Sequence, residues 1–227
     1  MTVSAIVPVY NGRDHLADAL ASIVAQTCPP TEVVVVDDGS TDGSADLAAS
    51  IAETASVPIR VIRQDNAGVA AARNAAVAES QRDVFAFLDQ DDRWTPDKLA
   101  AQLAALEADP VLGFVTARQS ITLEPGCERP SWLRPEMLDG PQDGTLPGTL
   151  VVRREAFAAI GPFNPEYRTG SDADWFIRAT EAGVASQQLD DVLLLRRVHD
   201  RNESQRVEQN NRELLHMLRA SLRRRDA

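Results

Sequence analysis

Four short runs rich in valine and isoleucine, Val3–Val9, Glu32–Val36, Val57–Ile62 and Val84–Leu88, alternate with stretches whose apolar residues repeat at helical spacing. Leu16, Leu20, Ile23 and Val24 mark a first helix, Leu47 and Ile51 a second, and an alanine-rich stretch from Gly68 to about Ala78 a third. Such alternation predicts a parallel sheet, because parallel neighbours need a crossover long enough to hold a helix. In sheets of that kind ligands bind beyond the carboxyl ends of the strands. Here those ends carry Tyr10-Asn11, Asp37-Asp38 and Asp89-Gln90-Asp91-Asp92, so polar side chains converge on one edge.

The fourth run carries the most chemistry. Val84-Phe85-Ala86-Phe87-Leu88 reads as a strand buried on both faces. Three carboxylates follow it within four positions. Carboxylates so crowded repel one another unless a cation or hydrogen-bond donors neutralise them. Hard oxygen ligands at a strand end suit Mg²⁺ or Mn²⁺ holding a phosphorylated ligand. A plain polar turn is the competing reading, since Thr95-Pro96-Asp97 has the form of a helix N-cap with proline at the first helical position. An EF-hand loop is excluded: counted from Asp89, the required glycine falls on Trp94 and the required glutamate on Ala100.

The second half predicts a helix through Leu99, Leu103 and Leu106, a strand over Val111–Thr116, another over Thr149–Val152, and a short helix over Arg154–Ile160 stopped by Gly161-Pro162. Between them, Glu124–Gly148 holds five prolines and four glycines, and a stretch that long without periodicity is functional or mobile. A helix from Asp172 to Ala182 takes Ser171 or Asp172 as its cap. A last strand over Val192–Val198 leads to His199. Beyond Glu203, Leu214, Leu215, Leu218 and Leu222 form one narrow stripe flanked by Arg212, Arg219 and Arg223. The reading is one domain over residues 1–202, in halves 1–108 and 109–202, with an amphipathic helical tail over 203–227.

Charge narrows the partners. Net charge is −11, which argues against nucleic acid. Residues 201–227 carry seven Arg against four acids, an excess too modest for firm attachment to an anionic membrane. The tail leucines are therefore expected to bury on the domain or on a second copy, in a homo-oligomer, ahead of a membrane surface. Cys28 and Cys127 have neither metal-site spacing nor the density of a secreted scaffold, which favours a reduced, cytoplasmic setting. No basic start precedes a leader-like segment, and no apolar run has the length of a membrane span.

Five ordered stretches resemble family 2 glycosyltransferases of the GT-A fold: Val7-Pro8-Val9-Tyr10-Asn11, Val36-Asp37-Asp38-Gly39-Ser40-Thr41-Asp42, Asn66 to Asn74, Phe87 to Asp92, and Gly170 to Arg178. The likeness covers roughly residues 3–200. It implies an α/β fold with a mostly parallel, Rossmann-like central sheet flanked by helices, with a C-terminal helix. It also implies inverting transfer of a sugar from a nucleoside diphosphate sugar to an acceptor the sequence does not identify. By that resemblance Pro8, Tyr10, Asn11, Asp38, Asn66, Gly68, Arg73, Asp89 and Gln90 bind the nucleotide sugar. Tyr10 offers a face to the base, and Asp38 accepts from an imide N–H, which favours uridine. Asp89 and Asp91 match the two acids of the Asp-x-Asp motif, with Asp91, Asp89 and His199 as ligands of Mn²⁺ or Mg²⁺. Asp92 is expected to cap the next helix or orient Asp91, and Arg197 accompanies His199. Asp172 stands at the general-base position, where an N-cap role would depress its pKa; Asp174 is the alternative base.

Two other enzyme-like classes compete. A phosphate-accepting receiver domain needs a lysine at a late strand end, and the only lysine is Lys98. A sugar nucleotidyltransferase needs a glycine-rich basic loop after strand one, of which Val9-Tyr10-Asn11-Gly12-Arg13 is a faint match. A non-catalytic nucleotide-sugar binder is the third alternative.

Overall fold

The computed structural model describes residues 1–202 together with 213, 216, 217, 219–221 and 224. The strands are β1 (Val3–Val9), β2 (Glu32–Asp37), β3 (Ile59–Arg63), β4 (Val84–Phe87), β5 (Arg93–Trp94), β6 (Phe114–Leu123), β7 (Val151–Arg153) and β8 (Ser186–Val198). The helices are α1 (Arg13–Val24), α2 (Ser44–Ala52), α3 (Val69–Glu79), α4 (Lys98–Ala108), α5 (Arg154–Ile160) and α6 (Ser171–Glu181). They build one sheet in the order β3-β2-β1-β4-β7-β6-β8-β5. β3, β2, β1 and β4 are parallel, β7 runs antiparallel to both β4 and β6, and β6 and β8 are parallel again.

The unbroken apolar runs follow from burial on both faces. Val3, Ala5, Val7 and Val9 of β1 pack with Val33, Val35 and Ala86 against Leu16, Leu20 and Ile23 of α1. Ile6, Val34, Val36, Phe85 and Phe87 face the other way, onto α3 and an aromatic group of Phe157, Phe163 and Trp175. Trp175 lies 5.9 Å from both Phe157 and Phe163, and aromatic contacts of this kind add about 0.5–1.5 kcal/mol each beyond buried area.

Several boundaries differ from the sequence reading. β3 begins after Pro58, not at Val57, because proline has no N–H for the ladder; its carbonyl accepts from Val33 N at 2.9 Å. β6 and β8 run far beyond the predicted apolar segments. Their outer halves alternate polar and apolar residues and pair with each other, with Ala117↔Leu189 followed by Arg118↔Val192, so Asp190 and Asp191 bulge out. The two-residue β5 gave no periodic signal; Arg93 and Trp94 pair with Leu195 and Leu194.

Thr95-Pro96-Asp97 does not cap α4 as predicted. Asp97 occupies the N-cap without a side-chain cap bond, and Leu99 N donates instead to Oε1 of Gln26, at the end of α1, at 2.9 Å. The tail residues Leu214, Leu215, Leu218, Leu222, Arg212 and Arg223 lie outside the described residues.

Lys98 is fully buried at the start of α4. Its Nζ donates to Gln102 Oε1 at 2.5 Å and sits 4.6 Å from the centroid of the Trp94 ring. Gln102 in turn donates to the carbonyls of Val115 and Thr149. Burial holds the Lys98 amine well below its ordinary pKa. The folded chain therefore holds this proton less tightly than the unfolded chain, and stability rises with pH up to the ordinary lysine value near ~10.4. Lys98→Met should melt about 2–4 °C above wild type at pH 7, the shift expected of ~1 kcal/mol in a domain of this size. The gap should close as the scans approach pH 10; a pH-independent gap would mean Lys98 is not the titrating group.

Candidate active site

The carboxyl ends of β1, β2 and β4 come together as loops that brace one another. Beyond β1, Tyr10 is 49% exposed, with its ring in solvent. Its backbone is clamped by the Gln90 amide, which accepts from Tyr10 N at 2.8 Å and donates to Tyr10 O at 3.1 Å. Gly12 is required for this clamp, since a Cβ there would stand 2.1 Å from Gln90 Oε1. Asn11 takes a left-handed φ of 48°. Its N–H donates to Ser40 Oγ and its Oδ1 accepts from Thr41 N, both at 2.9 Å, which joins the β1 and β2 loops. Pro8 is buried in β1 opposite Val36, two residues past the last β1–β4 pair at Ile6.

Asp38 is 2% exposed and accepts from Gln64 Nε2 at 2.7 Å and from Ala67 N and Gly68 N at 2.8 Å each. Asn66 Nδ2 donates to the Asp38 carbonyl at 3.0 Å. Asp38 thus anchors the 64–68 loop that opens α3. Of its two oxygens, Oδ2 receives one donor and retains acceptor capacity. One turn into α3, Arg73 is buried and donates to Asp89 Oδ1 at 2.6 Å, with its guanidinium 5.5 Å from the Phe163 ring centroid.

Asp91 Oδ2 accepts from His199 Nε2 at 3.0 Å and from Asn202 Nδ2 at 2.9 Å. Asp92 is buried and accepts from Arg197 N at 2.8 Å, so it ties β4 to β8 instead of capping α4. Burial, with Asp91 and Asp89 nearby, raises the Asp92 carboxyl well above its usual range. The sequence reading paired Arg197 with the site. Arg197 instead turns outward, to His15 Nδ1 and to Asp18 at 2.9 Å, whereas its neighbour Arg196 lines the cleft and lies 5.2 Å from the Trp132 ring centroid. Strand alternation decides which arginine faces in.

A cleft of about 350 Å³ opens between Asp89 at the end of β4, Asp172 at the start of α6, and Gln119, Asp143, Arg196 and the 145–147 segment. Asp172 does not cap α6: Gly170 is the N-cap, without a side-chain cap bond, and the Asp172 carboxylate accepts from Ala173 N at 2.8 Å. The expected depression of its pKa is reversed. Burial raises the Asp172 carboxyl above its ordinary value, against the pull of the Arg73 guanidinium. Asp174 is not brought to the cleft; it is buried and holds Arg178 Nε at 2.8 Å, while Arg178 donates to the carbonyls of Ile160 and Pro162 at 2.7 Å.

The donor set near Asp91 suits a hard divalent cation: carboxylates of Asp89 and Asp91 with the His199 imidazole. Both carboxylates are the right kind of ligand, and in this arrangement Asp89 Oδ1 is held by Arg73 and Asp91 Oδ2 by His199 and Asn202. His199 Nδ1 accepts from Arg201 N at 3.2 Å, so Nε2 carries the proton, and ligation through Nε2 requires that proton to leave and Arg201 N to turn away. His15, Glu124 and His199 also place possible ligand atoms within 4.8 Å of one another. There the Arg197 guanidinium occupies His15 Nδ1, leaving the proton on Nε2, so His15 offers no lone pair to a cation. Arg196, Asn202, Gln119 and Asp143, which no motif flags, reach the site from β8, the turn after it, β6 and the aperiodic stretch.

Comparison with known proteins fits this geometry. The family model described as glycosyl transferase family 2 matches residues 4–161. The putative teichuronic acid biosynthesis glycosyltransferase TuaG of Bacillus subtilis is 31% identical over 196 residues, covering 84% of this chain and 77% of TuaG. The mannosyltransferase PcManGT from Pyrobaculum calidifontis, solved with GDP-Man and Mn²⁺, superposes with a TM-score of 0.74 at 23% identity, covering 97% of this chain and 64% of its own. S. aureus TarS 1-349 in complex with UDP superposes with a TM-score of 0.69 at 21% identity, covering 87% of this chain and 61% of its own. The chain thus spans less than two thirds of either solved protein, and shares their GT-A fold. It belongs to glycosyl transferase family 2, and it is a glycosyltransferase.

Because Asp174 serves Arg178 and not the cleft, Asp174→Asn should cost about 1–3 kcal/mol of stability by weakening a hydrogen-bonded ion pair whose carboxylate is buried. Asp172→Asn should leave the denaturation midpoint nearly unchanged. Urea titrations of both variants check this; equal midpoints would return Asp174 to the list of reactive groups.

Proposed function

We propose that this member of family 2 transfers a sugar from a nucleoside diphosphate sugar, with inversion at the anomeric carbon, to a hydroxyl or similar nucleophile of an acceptor bound in the cleft. The observation that carries this reading is Asp172: a carboxyl made more basic by burial, facing the same cleft as Asp89. A general base works best when its pKa moves toward the working pH.

The donor half, residues 1–108, supplies the nucleotide contacts. Tyr10 presents its exposed ring to the base, and Asp38 Oδ2 has capacity for one more donor, such as the imide N–H of uracil. That favours a UDP-sugar, in keeping with the UDP bound by TarS, while the GDP-Man bound by PcManGT marks the competing donor class. Pro8, Asn11, Gln90, Asn66 and Gly68 shape the loops around the nucleotide. Arg73, neutralised by Asp89, stands where a diphosphate would draw it away. Asp89, Asp91 and His199 would hold Mn²⁺ or Mg²⁺, which would supply positive charge to the departing diphosphate.

In the half formed by residues 109–202 the acceptor O–H points at Asp172. As its oxygen bonds to the anomeric carbon, the bond from that carbon to the diphosphate oxygen breaks, and the proton passes to Asp172. Attack from the face opposite the leaving group gives inversion. Among the described residues no helix is long and apolar enough to cross a membrane. Free Cys28 and Cys127 fit a reducing, cytoplasmic location.

Asp172→Asn should lower turnover by ~10²–10⁴ while leaving the affinity for the nucleoside diphosphate within twofold, as expected for a lost general base. Nucleoside diphosphate release from UDP- and GDP-sugars, read beside calorimetric binding, tests this; release of pyrophosphate from a nucleoside triphosphate would instead mark a nucleotidyltransferase. Chelation should stop release and added Mn²⁺ restore it. Asp91→Asn should fall at least ~100-fold, about 2.7 kcal/mol, and wild-type rates in that variant would remove Asp91 from the metal site.

A further inference from the structure

The helix that carries Asp172 has no cap of its own. Gly170 provides no side chain, and the N–H groups of residues 168–170 that precede α6 take a distant acceptor. They converge on a residue more than forty positions later. Glu213 Oε1 accepts from Arg168 N at 3.1 Å, and Glu213 Oε2 accepts from Thr169 N at 3.0 Å, Thr169 Oγ1 at 3.0 Å and Gly170 N at 2.9 Å. A carboxylate in this place satisfies several donors at once and meets the positive end of the helix dipole.

The contact is part of a longer seam. Met217 is buried, and a Cβ on Gly170 would come 2.8 Å from its Cε, so residue 170 is pressed against the tail. At the far end of α6, Glu181 accepts from Ser221 Oγ and from Arg224 Nε, the latter at 2.6 Å. The described tail residues therefore follow α6 from its first turn to its last, in the same direction. The single residue between Gly170 and Asp172, Ser171, leaves little slack: a shift of the 168–170 turn moves the Asp172 carboxyl relative to Asp89.

We propose that Glu213 is a positioning residue, holding the 168–170 turn so that α6 presents Asp172 to the cleft at a fixed height. This rests on the reading of Asp172 as the base. The described residues Glu213, Met217, Ser221 and Arg224 then belong to the working enzyme as a clamp on its acceptor side. Misplacement of a reacting group by about 1 Å can cost ~10²-fold in rate, so one lost clamp is enough to be read kinetically.

The test uses the full chain with Glu213→Ala, Glu213→Gln and each of these combined with Asp172→Asn. Nucleoside diphosphate release is followed from UDP-glucose, UDP-N-acetylglucosamine and GDP-mannose with Mn²⁺. Calorimetry gives UDP and GDP affinity, and amide exchange is followed over residues 168–174. The expected result is release slowed at least ~10-fold in Glu213→Ala, with affinity unchanged within twofold and faster exchange at 168–170. Glu213→Gln, which keeps an acceptor, should recover much of the rate. In the Asp172→Asn background the Glu213 changes should cost nothing further, because a positioning residue acts only through the group it positions. Wild-type release in Glu213→Ala overturns the proposal, and so does a parallel fall in affinity and rate or a full additional loss in the Asp172→Asn background. If Glu213→Ala does not fold, Glu213→Gln is judged by the same measures. Should wild type release no diphosphate from any donor, the transferase reading fails, while the exchange data still decide whether Glu213 clamps the turn.

Discussion

Four consecutive residues at the end of β4 hold the molecule together, and they do so because three of them are acids that cannot be left alone. Asp89 is met by Arg73 from α3, Gln90 clamps Tyr10 beyond β1, Asp91 is met by His199 and Asn202 after β8, and Asp92 takes a backbone N–H of β8. The partners come from three parts of the chain: α3, the end of β1, and residues 197–202. The repulsion that makes this stretch unfavourable in isolation therefore becomes the link between the two halves. Burial raises the Asp92 carboxyl well above its usual range, and Asp89 lines the cleft.

The first hundred residues were legible because their signals are local. Apolar runs with period-two packing, helical repeats of Leu16, Leu20 and Ile23, and polar strand ends each state their own structure. The second half was less legible. β6 and β8 owe their outer lengths to one another, and a strand stabilised by its neighbour has no need of its own apolar pattern. The site divides in the same way. Motifs point to Asp89, Asp91, Asp172 and His199, whereas no motif distinguishes Arg196, which lines the cleft, from Arg197, since alternation along a strand does not say which neighbour faces in.

The capping errors share one physical cause. Thr95-Pro96-Asp97 and Ser171-Asp172 both have the composition of helix starts, and neither caps its helix. α4 is capped by Gln26 and the turn before α6 by Glu213, each distant in sequence. A cap needs only an acceptor within reach of the first N–H groups, so tertiary structure can supply it. Where it does, local side chains are released for other tasks: Asp172 faces the cleft because it is not required at the helix end.

The placement of Lys98 has a consequence for how the protein meets reagents and other enzymes. The sequence has twenty-three basic residues, and its one lysine lies in the core under Trp94. The surface cations are therefore guanidinium groups. Acylating reagents, amine cross-linkers and enzymes that build isopeptide bonds find no side-chain amine on the folded domain. Reaction at Lys98 becomes a direct report of opening, since that amine is exposed only when α4 leaves the sheet.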